Sequence, residues 1–144
     1  MATQTTQSVL RGMGGRKKDS GVTPAPFVLA LTFSFDPTQS AATVSKTLPS
    51  GAIVLDVITD GGATGGTSPT VDIGWSGNTD ALANEQPADS VKSAVANGTL
   101  GASGLSALSQ DREVYAGVGA SAATGGTVQV TILYVPEDNG TLNG

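Results

Sequence analysis

Leu48-Pro49-Ser50-Gly51-Ala52-Ile53-Val54-Leu55-Asp56-Val57-Ile58-Thr59-Asp60 is the stretch on which the fold turns. Pro49-Ser50-Gly51 has turn chemistry, and from Ile53 the side chains alternate with the two-residue period of a strand. Ile53, Leu55, Val57 and Thr59 share one face, while Val54, Asp56, Ile58 and Asp60 share the other. β-Branched residues dominate both faces, as a pleated, partly buried surface requires. The pattern predicts an inner strand with Ile53, Leu55 and Val57 in the core and Asp56 toward solvent.

On either side the same period recurs. Upstream, Phe27, Leu29, Leu31, Phe33 and Phe35 alternate with Val28, Ala30, Thr32, Ser34 and Asp36, and Asp36-Pro37 begins a turn. A short strand over 42–47 leads into Pro49. Downstream, Val71, Ile73 and Trp75 form one face of a strand from Pro69 to Ser76, which places Trp75 in the core. Near the C-terminus, Val114, Ala116 and Val118 alternate, as do Val128, Val130, Ile132 and Tyr134. The pentapeptide Ala-Thr-Gly-Gly-Thr stands at 63–67 and again at 123–127, each time between two strands. Each pair reads as a hairpin, and the repetition implies equivalent places in a two-sheet sandwich. Residues 77–110 are broken by Asn78, Asp80, Asn84, Pro87, Gly98, Gly101 and Gly104 and are expected to be mostly loop. Within them, 88–96 has the apolar spacing of two helical turns, with Asn97-Gly98 as a stop. A long connection between opposed strand pairs is what a jelly-roll or Greek-key topology requires. The expected fold is therefore all-β, an antiparallel β-sandwich of jelly-roll or Greek-key type. It divides into an extended basic N-terminal arm over 1–26, a β-sandwich domain over 27–136 and a polar tail over 137–144.

Composition narrows the chemistry. The 144 residues hold no Cys and no His, which removes disulfides, thiol nucleophiles, the commonest general base and the commonest transition-metal ligand. No Ser lies in a Gly-x-Ser-x-Gly elbow, and Gly12 to Lys18 lacks the order of a phosphate-cradling loop. Asp56, Asp60, Asp72 and Asp80 lack the spacing of a calcium loop, and acidic pairs of the glycosidase kind occur in any acidic β domain. The reading is no enzyme, no cofactor and no metal. Trp75 and Tyr115 are the aromatics that could stack on a sugar; Tyr115 opposes Val114 and is the candidate exposed contact. The apolar run 27–35 is too short to span a bilayer, and the full chain is read as mature.

Charge is unevenly spread around a net of -5. Residues 1–18 carry Arg11, Arg16, Lys17 and Lys18 without an acid, whereas twelve acidic and three basic residues follow from Asp19 onward. An acidic body does not present the basic face that nucleic acid needs, but the arm can meet an acidic partner. Arg11, Arg16, Lys17 and Lys18 are the candidate binding residues of that arm.

The block Thr47-Leu48-Pro49-Ser50-Gly51-Ala52-Ile53-Val54-Leu55-Asp56-Val57, followed by a Gly/Thr connection into Thr70-Val71-Asp72-Ile73-Gly74, resembles the small capsid decoration, or cement, proteins of tailed bacteriophages. The likeness covers residues 42–76 and, more loosely, 112–135; the arm and the segment 77–110 fall outside it. The resemblance implies a structural virion protein, commonly a homotrimer, that binds the major capsid protein shell on its outer surface and braces it. The absence of Cys points to assembly in a cytosol, which for such a protein is the host cytoplasm, and no membrane partner is expected. The alternative class is a carbohydrate- or receptor-binding module of a phage head fibre or tail.

Overall fold

The computed structural model describes residues 27–39 and 42–137, and Phe27–Glu137 forms one compact unit. Its strands are β1 (Leu29–Phe35), β2 (Ala42–Leu48), β3 (Ile53–Asp60), β4 (Ala63–Thr64), β5 (Thr70–Trp75), β6 (Asn78–Pro87), β7 (Val91–Ser93), β8 (Arg112–Val118), β9 (Gly125–Gly126) and β10 (Val128–Val135); one helical turn, α1 (Ala94–Asn97), follows β7. One four-stranded sheet has the order β1-β10-β3-β7 and the other β2-β8-β5-β6, with every pairing antiparallel. Successive strands alternate between the sheets except at the β5–β6 hairpin, and the first and last long strands lie side by side. That is the jelly-roll order, and it agrees with the fold class read from the sequence.

The inner faces meet in a single core. Phe33, Phe35, Val54, Val57, Val128, Val130 and Ile132 come from the first sheet; Leu48, Val71, Ile73, Leu82, Val114 and Ala116 come from the second. The period-two reading of β1, β5, β8 and β10 is borne out, and Trp75 is 7% exposed, in the core as expected. Phe27 is an exception: it precedes the first paired residue, Leu29, and is more than half exposed.

β3 is an inner strand, but its core face changes along its length. Val54 is opposite Tyr134 and Asp56 is opposite Leu133, so Leu55 is an extra residue on β3, a bulge. The bulge flips the alternation. Val54 is fully buried on one side of it and Val57 and Thr59 on the other, while Ile53 and Leu55 are only half-buried. The expectation that Ile53 and Leu55 are core residues is corrected; of that trio only Val57 is.

The two expected hairpins are also corrected. β3 and β5 lie in opposite sheets, as do β8 and β10, so each connection carries the chain across the sandwich. The repeated pentapeptides are those crossings, and they touch: β4 pairs with β9, Ala63 opposite Gly126 and Thr64 opposite Gly125. Equivalence of position is thus real, although the motif is a paired corner. Glycine is required there because the backbones nearly meet. A β-carbon on Gly62 would fall on the carbonyl oxygen of Thr127, and one on Gly126, whose φ is +90°, on that of Gly62.

The segment expected as loop contains the longest strand. β6 forms a hairpin with β5 through Ser76-Gly77, with register shifts after Val71 and after Ile73 that bury Ala81, Leu82 and Ala83 in succession. Those irregularities erase the period-two signature. The expected helix shrinks to one turn, capped by Ser93 Oγ, which accepts from Ala96 N at 3.2 Å, and stopped at Gly98. Gln86 of β6, fully buried, ties the sheets together: its Nε2 donates to Lys92 O at 3.0 Å, and its Oε1 accepts from Thr99 Oγ1.

Candidate interaction surface

The four basic residues proposed for the arm, Arg11, Arg16, Lys17 and Lys18, lie outside the described residues. The compact unit Phe27–Glu137 carries ten carboxylates against the cations Lys46, Lys92 and Arg112, so its field is strongly acidic. Most of the carboxylates near the sheets are committed to backbone N–H groups. Asp56 accepts from Val57 N at 2.8 Å, Val95 N at 3.0 Å and Ser93 Oγ at 2.5 Å. It fastens α1 to β3 and is half-buried, which corrects its assignment to a plain solvent face. Asp60 accepts from Gly62 N and Gln129 N and so holds the corner to β10.

Asp72 and Glu85 form a second clasp on the outer face of the other sheet. Glu85 N–H donates to Asp72 Oδ1 at 2.8 Å, and Glu85 Oε1 accepts from Thr70 Oγ1 at 2.5 Å and Ala120 N at 2.8 Å. Glu85 sits at φ +57°, a left-handed conformation rare for a side chain of its size, and this pair of carboxylates holds it there. Burial pushes the Asp72 carboxyl above its ordinary range against the pull of the Glu85 N–H, and the negative charges of Glu85 and Asp80 push the same way. Asp56 and Asp60 belong to one sheet and Asp72 and Asp80 to the other. Among the described residues no three acidic groups converge as a metal-ligand set.

At the β8 end of the second sheet, aromatic and charged side chains do come together. Arg112 lies with Cζ 4.7 Å from the centroid of the Trp75 ring, a cation–π contact. With the Gln110 amide turned so that its oxygen faces the guanidinium, that oxygen accepts from Nη1 and Nη2 at 3.1 and 3.2 Å. Asp111 accepts from Ser50 N at 2.8 Å and fixes the start of β8 against the Pro49-Ser50-Gly51 turn. A cleft of about 190 Å³ opens beside this pair, lined by Trp75, Gln110, Asp111, Arg112, Glu113 and Tyr115. A second of similar size opens where Trp75 and Arg112 face Ser103, Ser106 and Leu108. Tyr115 is half-buried rather than freely exposed, and the structure brings it beside Trp75. Arg112 was not among the residues singled out from the sequence. Its place two residues before Val114, on the inward side of β8, is the signal that could have paired it with Trp75.

No protein-family model matches the chain, and no curated protein is a significant match. Solved structures do match. A chain of the cyanophage Pam1 capsid asymmetric unit aligns with a TM-score of 0.59 at 24% identity, over 85% of this chain and 94% of its own length. A chain of the acid-stable capsid of Helicobacter pylori bacteriophage KHP30 aligns with a TM-score of 0.52 at 14% identity, over 75% of this chain and 86% of its own. The fold is shared with chains of two phage capsids. At such identities the likeness lies in the strand order and the path of the chain, and it spans nearly the whole length of both.

Proposed function

We propose that this chain is a structural virion protein of a tailed bacteriophage, a decoration or cement protein that binds the major capsid protein on the outer shell surface and stabilises the shell. The observation that carries this reading is the fold match to a chain of the Pam1 capsid asymmetric unit, over 85% of this chain and 94% of that one. The absence of Cys and His from the sequence and the commitment of Asp56, Asp60 and Asp72 to backbone donors support a non-enzymatic role. In this reading the jelly-roll unit is a rigid body assembled as a homotrimer. Arg11, Arg16, Lys17 and Lys18 provide electrostatic contacts to an acidic part of the shell, individually weak and stronger where water is excluded. The protein is made in the host cytoplasm and joins the virion there.

Co-sedimentation with purified shells tests the reading, with light scattering for the oligomeric state. Full-length protein is expected to pellet with shells at saturating stoichiometry and to run as a trimer. Removal of residues 1–20 is expected to lower occupancy at least tenfold at physiological salt. Unchanged occupancy after that deletion would remove the arm from the mechanism, and failure of the full chain to pellet would overturn the function.

A further inference from the structure

The cleft beside β8 is not needed for shell binding through the arm, and its lining is unusual for this chain. It gathers Trp75 and Tyr115, two of the chain's six aromatics, with Arg112, which is one of three cations in the compact unit. We propose that this cleft is a binding site for a neutral saccharide.

Three features lead to that ligand class. First, the walls offer donors and acceptors of opposite kinds close together. The guanidinium of Arg112 only donates, and the carboxylates of Asp111 and Glu113 only accept. A sugar hydroxyl does both, so a ring bearing several can satisfy each wall in turn. Second, two carboxylates against one guanidinium leave the lining with one net negative charge, which repels an anion, while Arg112 opposes a cation seated at the same place. Third, Tyr115 points outward from β8, between the inward-facing Val114 and Ala116, and is only half-buried. Part of an aromatic face is thereby left for the C–H side of a pyranose. The site is also built in advance. Arg112 is stacked on a ring that is itself in the core, its outer nitrogens are engaged by Gln110, and Asp111 is held by Ser50 N, so little side-chain freedom is lost on binding. The volume of about 190 Å³ suits one or two sugar residues rather than a long chain.

The full-length protein, free of shells, is applied to an array of neutral oligosaccharides built from hexoses, N-acetylhexosamines and deoxyhexoses, with sialylated and sulfated glycans and a basic peptide as comparators. The strongest neutral ligand is then titrated by calorimetry against wild type, Tyr115→Phe, Tyr115→Ala and Glu113→Gln, each checked for an unchanged melting curve. Selective binding of neutral glycans is expected, retained within threefold by Tyr115→Phe and weakened at least tenfold by Tyr115→Ala and fivefold by Glu113→Gln. The proposal is overturned if no neutral glycan binds, if only charged glycans or the basic peptide bind, or if a folded Tyr115→Ala protein binds as wild type does. None of these outcomes bears on co-sedimentation with shells, so the two readings fail separately.

Discussion

Val54 and Leu55 are neighbours in sequence and differ sharply in what they hold. Val54 has no exposed surface and sits between the sheets, whereas Leu55, the bulged residue, is half-buried. Truncating Val54 to Ala removes about two methylene equivalents and leaves a cavity, so urea unfolding is expected to show a loss of about 2–3 kcal/mol, against about 1 kcal/mol for Leu55→Ala. The opposite ranking would mean that the bulge is misplaced. Two carboxylates make opposite contributions to acid stability. Asp36 accepts from Thr38 N at 2.9 Å and Thr38 Oγ1 at 2.7 Å, which lowers its carboxyl below the ordinary value. A lowered acid adds stability above its unfolded pKa and loses it as pH falls through the folded one. Asp72 is raised, chiefly by burial, so its contribution is fully present below the unfolded value near 3.8 and is lost as pH rises through the folded one. Asp72→Asn keeps an oxygen for Glu85 N–H and removes the charge. Its melting temperature is expected to exceed that of wild type at pH 7, with the difference vanishing near pH 3; a deficit at pH 7 would show that the charged form is needed.

At the level of elements, the crossings between sheets carry more constraint than the strands they join. The β4–β9 pair brings two backbones together at Gly62 and Gly126, and both are intolerant of a β-carbon. Gly126→Ala adds strain at φ +90° to a collision with Gly62, and a loss of about 3 kcal/mol, or about 10 °C in melting temperature, is expected. A change under 2 °C would mean that the corner opens without consequence. Gln86 has the comparable role on the other side. Gln86→Leu leaves the partly buried Lys92 O and Thr99 Oγ1 without their partner, and denaturant unfolding is expected to register about 1–2 kcal/mol. Because Gln86 joins β6 to the β7–α1 segment, hydrogen exchange in 91–99 is expected to rise more than in β10.

For the whole molecule, all the core side chains named above belong to Phe27–Glu137, and the two four-stranded sheets are completed within it. A protein made of residues 27–137 is therefore expected to melt within about 3 °C of the full chain while losing whatever binding depends on Arg11, Arg16, Lys17 and Lys18. Failure of that fragment to fold would assign the arm a structural part in the domain. The sandwich places its acidic clasps on β3 and β5, in different sheets, and its aromatic cleft at the start of β8.

Periodicity alone was enough to read β1, β5, β8 and β10, their core faces and the burial of Trp75, because a half-buried strand must alternate. An antiparallel β-sandwich of jelly-roll or Greek-key type followed from the number of such strands and the long segment between them, and the strand order decided for the jelly roll. Three things were decided only by tertiary structure. The bulge at Leu55 is a mismatch between β3 and β10, and neither strand records it alone. The two Ala-Thr-Gly-Gly-Thr segments resemble hairpin turns locally, and only the stacking of one sheet on the other makes them a paired corner. β6 is assembled from turn-forming residues such as Asn78, Asp80, Asn84 and Pro87, and its pairing with β5 overrides their local preference because it buries Leu82 and Gln86. Alternation is a property of one strand and can be read from the chain. Register, crossing and partner are properties of pairs of segments distant in sequence, and they exist only once the sheets have packed.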